Sequence, residues 1–361
     1  MGTTTVSIEI EKYREDPTQR CWDLPAWGHP LSQGVLPLFL SSADKLIPIG
    51  TAFTTGSGVT FIISAEHNIR EVFDHERKLG HLKIERTLPE TISLQEVGLY
   101  VLYQRWRDET QTTIDFVLWP LEKVDGAPPT DIVFAFPQFQ TKWPTLGMRL
   151  GLDLPTPGER VWSIGYADFR FPADGIDLDL VQSGQFDWRA DYAHRFVVVE
   201  GHSGNIFTQK FASGFVDGPC FSFDAEIFHG QSGGPIISAE SGIVRGVNSA
   251  GASGYFNSPT TLGSLLYPLV LTNLNAGVQL GPLRINSRQP LLNWISMGKI
   301  KTDGGEARLA IADAANSLSV CAGAPPNSAD FVYDDFTGFQ EGRRATRQTG
   351  DVYRLRSVPT A

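Results

Sequence analysis

Cysteine is scarce in this chain: Cys21, Cys220 and Cys321 are the only three, far apart and never in a C-x-x-C arrangement. That excludes a disulfide framework and a zinc knuckle, and leaves three thiols acting as small hydrophobes in a reducing compartment. Positive charge is also in deficit, with 30 Lys and Arg against 40 Asp and Glu and a net charge of −10. Such a field repels phosphates, so neither nucleic acid nor an anionic membrane is expected as a partner. No run of about 18 apolar residues occurs. The opening MGTTTVSIEIEKYREDP lacks the basic-then-apolar order of a secretory signal, and Val6 stands where a myristoylation signal needs Ser or Thr. A cytoplasmic location is the expectation. Internal repeats and low-complexity tracts are missing too.

What is present favours β structure. In 361 residues, 41% hydrophobic and 11% aromatic content supplies a large core, and 36 Gly with 23 Pro suit many short strands joined by turns. From about Pro37 the sequence reads as strands VLPLFL, IPIGTAFTT and VTFIISA about a Gly56-Ser57-Gly58 hairpin, VGLYVLYQ and TIDFVLWPL. After Pro155-Thr156-Pro157-Gly158 a second group follows: RVWSIGY, RFVVVEG, NIFTQKF, PCFSFDA, GPIIS and IVRGVNSAG. The spacing predicts an all-β chain with two six-stranded antiparallel barrels, the first over about 37–135 and the second over about 155–285. QPLLNWISMGKIK, over 289–301, has the apolar pattern of an amphipathic helix packed on the barrels. Residues 1–36 read as an N-terminal extension and 304–361 as a tail ending in an Arg-rich segment.

The sharpest chemical signal is GQSGGP, Gly230 to Pro235. A serine between glycines, after a strand and before IIS, suits a backbone that bends tightly around a nucleophile and exposes amide N–H groups where an oxyanion would form. Gly230 and Ser232 would supply those donors. The shorter G-x-S-x-G also marks the nucleophile elbow of α/β-hydrolases, where the histidine follows the serine. All seven histidines here precede Ser232, which removes that reading and leaves the order His, Asp, Ser. His67, at the end of the β-branched run FIISAEHNI, is the best base. Asp115, opening the apolar strand in TTIDFVLWPL, is the expected orienting acid, because a carboxylate there is costly to bury without a partner such as an imidazole N–H.

These elements resemble those of the trypsin/chymotrypsin-like serine peptidases. GTAF with FIISAEHNI looks like their histidine element, TTIDFVLWPL like their D-I-A-L element, and GQSGGPIISAESGIVRGVNSAG like their G-x-S-G-G-P element. The similarity covers roughly 37–303 and is strongest toward intracellular bacterial members and those of the high-temperature-requirement type, here without a PDZ module. It implies the chymotrypsin-type double barrel and a serine endopeptidase acting on a protein or peptide, with no cofactor and no metal. Ser232 would attack, His67 would carry the proton and Asp115 would fix its tautomer. The resemblance further implies that Ser249 supports the buried aspartate and that Ala250 and Gly251 pair with an extended substrate.

Aligned backward from Ser232, Glu226 falls at the specificity-pocket floor with His229 along one wall, although a one-residue slip of SFDAEIF would send Glu226 to solvent. Three departures stand out. Gln231 replaces the aspartate that pairs with a newly cleaved N-terminus in digestive members, Asn68 replaces a half-cystine, and the segment 167–215 is longer than the family core needs. Loop ordering by that insertion, the tail or a regulatory protein partner follows as an expectation. The other class of function to weigh is a catalytically idle barrel protein that only binds.

Overall fold

The structure, a computed structural model, describes residues 14–16, 20–70, 91–93, 98–107, 113–126, 130–138, 145–207, 211, 216, 218–280, 283–314 and 317–321. Its strands are β1 (Arg14–Asp16), β2 (Cys21–Leu24), β3 (Val35–Ser42), β4 (Lys45–Thr55), β5 (Phe61–Ala65), β6 (Thr91–Ser93), β7 (Gly98–Trp106), β8 (Ile114–Gly126), β9 (Ile132–Pro137) and β10 (Arg160–Arg170). There follow β11 (Ile176–Asp177), β12 (Ala193–Phe207), β13 (Cys220–Phe223), β14 (Pro235–Ser238), β15 (Val244–Gly251), β16 (Thr261–Leu265), β17 (Asn273–Leu280), β18 (Leu283–Pro290), β19 (Ala310–Ala314) and β20 (Ser317–Cys321).

One sheet runs β4-β3-β7-β8-β9-β5 and closes through β4–β5; the other runs β12-β10-β14-β15-β16-β13 and closes through β12–β13. Closure leaves no open edge within either ring. The chain is therefore all-β, a pair of six-stranded antiparallel barrels of the chymotrypsin type. Two strands differ from the sequence reading. RFVVVEG and the opening NIF of NIFTQKF are one bent strand, β12, whose register shifts between Ser203 and Ile206, and the sixth strand of the second barrel is β16. In the first barrel the sixth strand is β9, the apolar run IVFAFP.

Strand β3 is buried on both faces, which is why VLPLFL is continuously apolar and does not alternate. Leu36, Leu38 and Leu40 point into the first barrel with Ile62, Val101 and Trp119. Phe39 faces outward and meets Ile176, Leu178, Trp188 and Tyr192, which belong to the long segment between β10 and β12. That insertion adds β11 to the edge of β4, with Ile176 opposite Leu46 and Lys45 Nζ donating to Asp177 at 3.0 Å. It thus straps the second barrel to the first. The N-terminal β2 lies along β12 from Phe196 to Val199.

A shared core joins the barrels. Phe53, Phe61, Ile63, Ile132 and Phe134 from the first meet Ile164, Tyr166, Phe196, Val198 and Val247 from the second. The C-terminal helix covers this seam with Leu291, Trp294 and Ile295 and is shorter than the sequence pattern implies, Leu291–Ser296, because Gln289 and Pro290 still belong to β18. The Arg-rich end of the tail lies outside the described residues.

Candidate active site

His67 lies just beyond the end of β5, in a helical segment over 66–70, and Asp131 just before the start of β9. The two strands pair with Ala65 opposite Ile132, so their ends deliver the two side chains to one place. One carboxylate oxygen of Asp131 accepts from the His67 amide at 2.8 Å, and the other meets His67 Nδ1 at 2.7 Å. Asp131 is buried, with a side-chain exposure of 6%, whereas His67 retains 29%. A carboxylate oxygen can only accept, so Nδ1 carries the hydrogen in this pair.

The sequence expectation for the orienting acid is therefore corrected. Asp115 sits on β8 opposite Arg105 of β7 and binds Arg107, whose Nε donates to it at 2.8 Å. The Arg107 guanidinium holds its carboxyl below the usual carboxylate range, with Arg105 adding to the effect. β8 meets β9 only from Leu121 to Gly126, and β9 stands between β8 and β5 in the sheet, so Asp115 is not brought to His67. Asp131 was legible only to a reading that recognised IVFAFP as the sixth strand, with an acid at its start in the same way as Asp115 opens its own.

Ser232 lies in the second of two consecutive turns that share Gln231: Gln231 N donates to Phe228 O at 3.1 Å and Gly234 N to Gln231 O at 2.9 Å. In each turn the third residue is glycine with positive φ, +97° at Gly230 and +86° at Gly233, a conformation that favours glycine. At Gly233 any Cβ would also collide with Thr51 O and Ser64 Oγ. This is the local reason for the pattern G-Q-S-G-G.

The first barrel grips these turns. Thr51 N and Asn68 Nδ2 both donate to Ser232 O, at 2.9 and 3.0 Å, and Thr51 Oγ1 donates to Gly230 O at 2.8 Å while accepting from Tyr166 N at 2.9 Å. Asn68 follows His67 directly, so the serine backbone is tied to the histidine element. On the other side Gly233 N donates to Asn248 O at 2.8 Å. Among the described residues the amides of Gly230 and Ser232 donate to no protein acceptor.

The remaining expected residues fall around this turn. Ser249 is buried, but its hydroxyl pairs with that of Ser264 at 2.7 Å and, among the described residues, reaches neither Asp131 nor Asp115. Ala250 and Gly251 pair with β16 on one edge, while β14 meets β15 no further than Val247, so among the described residues their other edge carries no strand. Glu226 and His229 are exposed. Ala225 turns inward instead of Glu226, and the Thr261 hydroxyl bridges Ala225 O at 2.7 Å and Ile227 N at 3.3 Å, so Glu226 forms no enclosed floor. No cluster of His, Cys, Asp or Glu suited to a metal ion occurs among the described residues.

No family model matches the sequence, and no curated protein matches it. Solved structures do. The MamO protease domain from Magnetospirillum magneticum is 15% identical with a TM-score of 0.39, over 66% of this chain and 93% of that one. The Rv3671c protease from M. tuberculosis in its active form is 12% identical, TM-score 0.38, over 69% and 89%. The HtrA-type protease AlgW with a decapeptide is 15% identical, TM-score 0.38, over 65% and 61%. The chain is similar in fold to these protease domains.

Proposed function

We propose that the chain is a serine endopeptidase that cleaves peptide bonds through an acyl-enzyme, with Ser232 as nucleophile, His67 as general base and Asp131 as the group that orients His67. The observation that carries this reading is the two-point grip of Asp131 on His67, through both the backbone amide and Nδ1, beside a glycine-rich turn that presents a serine. Ser232 Oγ attacks the scissile carbonyl carbon as His67 Nε2 takes its proton; collapse of the tetrahedral adduct breaks the C–N bond, and the same proton passes to the leaving amine. Water then repeats the sequence to release the acid. The unclaimed amides of Gly230 and Ser232 suit the oxyanion, an interaction worth about 10² to 10³ in turnover per donor. The edge at Ala250 and Gly251 suits an extended peptide added as a strand.

The test is labelling of the full chain by a fluorophosphonate together with hydrolysis of a casein substrate. Both are expected in the native sequence and neither in Ser232→Ala, which should melt at the same temperature because a half-buried serine contributes little packing. Equal labelling in Ser232→Ala would end the proposal.

A further inference from the structure

Gln231 is fully buried beneath the turn it belongs to. Its side-chain Oε1 accepts from Phe228 N at 2.7 Å and its own backbone N donates to Phe228 O at 3.1 Å, so a single residue binds both backbone groups of the residue that opens the turn. Nε2 reaches Val197 O of β12 at 3.5 Å, and Gln231 O takes both Gly234 N and Asn248 Nδ2, the latter at 3.3 Å. The turn is thereby sealed from within by a neutral carboxamide. Its outer side is packed as well: a Cβ at Gly230 would lie 2.8 Å from the Phe169 ring, and the Arg195 guanidinium covers the Phe228 ring at 4.9 Å.

We infer that the Gln231 carboxamide is a positioning residue, a latch that holds the Phe228–Gln231 turn formed in the resting protein and so keeps the Gly230 amide aimed at the oxyanion. The inference rests on the peptidase reading for its catalytic consequence, but the latch itself is a property of the turn. A carboxylate at this position would be a buried anion needing a cation to stabilise it, and the turn would then form only when that cation arrived. An amide both donates and accepts, so it binds Phe228 N and Val197 O without any incoming charge. The active turn is the resting population and needs no partner to shift it.

Two variants test this. Gln231→Met keeps the volume and removes both side-chain bonds. Gln231→Glu reproduces donor and acceptor while protonated, but becomes acceptor-only and charged when ionised. Amide hydrogen exchange over 226–234 reads the turn directly: protection is expected in the native chain and exchange at least about tenfold faster in Gln231→Met, with the rest of the second barrel unchanged.

Fluorophosphonate labelling should fall about 10²-fold in Gln231→Met, the loss expected when one oxyanion donor is misplaced. For Gln231→Glu the labelling rate divided by that of the native chain should decline as pH rises, because ionisation removes the donor to Val197 O. Exchange over 226–234 that is the same in Gln231→Met as in the native chain would overturn the latch, as would a pH-independent ratio. Absence of labelling in the native chain at every pH would instead overturn the peptidase reading, with the exchange result still deciding the latch.

Discussion

Asp131 and Asp115 are chemically identical side chains that open apolar strands, and what opposes each of them separates their roles. Asp115 faces two guanidinium groups across the β7–β8 ladder, one of them largely exposed, and cross-strand pairs of that kind contribute about 1 kcal/mol or less. Asp131 faces an imidazole N–H and a backbone amide and has almost no solvent. Asp131→Asn should lower kcat by about 10⁴-fold, because the carboxamide can present its NH₂ to Nδ1 and favour the wrong tautomer. Asp115→Asn should lower it by less than about tenfold. Steady-state hydrolysis by the two variants decides between them; the reverse order would return the orienting role to Asp115. Both acids were visible in the sequence, as IDFVLWPL and DIVFAFP, and nothing local distinguishes them.

At the scale of elements, the insertion between β10 and β12 does more than fill a loop. Trp188 is buried against Phe39, Phe116, Phe186 and Tyr192, and β11 completes the edge of β4. β4 also carries Thr51, whose amide and hydroxyl hold Ser232 and Gly230 of the other barrel. Trp188→Ala removes a large aromatic side chain from a packed cluster and should cost about 3 to 5 kcal/mol. Urea unfolding is the measurement, with a lower midpoint at unchanged slope expected. A loss below about 1 kcal/mol would mean that the strap is not seated on the barrel. The sequence reading placed the insertion at 167–215, but 167–170 and 193–207 belong to β10 and β12, and neither its true bounds nor its destination was legible. A two-residue strand such as Ile176–Asp177 has no periodicity to read, and its partner is 130 residues away in the chain.

For the whole molecule, two buried histidines couple stability to acid. His29 and His194 are each lowered by burial to about 4 from an ordinary value of 6.5. His194 bonds Ala26 O at 2.8 Å through Nε2 and lies among Trp27, Tyr166 and Tyr192 with its Nδ1 unpartnered among the described residues, while His29 caps the Pro30–Gln33 turn and meets Phe196. Folding holds both rings neutral, and the unfolded chain takes up their protons first. Their contribution is therefore present in full above about pH 6.5 and is lost as pH falls toward 4, on the order of 3 kcal/mol for each. Unfolding free energies measured at pH 7, 5.5 and 4.5 should fall along that course, and His194→Phe should flatten it. A stability independent of pH over this range would contradict the buried, neutral assignment.

The sequence by itself determined the class of fold, and it located the glycine-rich turn at Ser232 and the histidine, His67, on which the proposed function rests. Alternating and doubly buried apolar runs specify strands, positive-φ positions specify the glycines around Ser232, and the placement of every histidine before that serine excludes the elbow geometry. Only the tertiary structure decided which acid meets His67, where Glu226 points, what Ser249 binds, and that Gln231 closes its own turn. These depend on strand register and neighbour order: Ala65 opposite Ile132, Arg105 opposite Asp115, and Thr261 set between Ala225 and Ile227. Pairing between strands scores of residues apart is settled by closing a barrel around a core, and a shift of one position exchanges every inward side chain for an outward one.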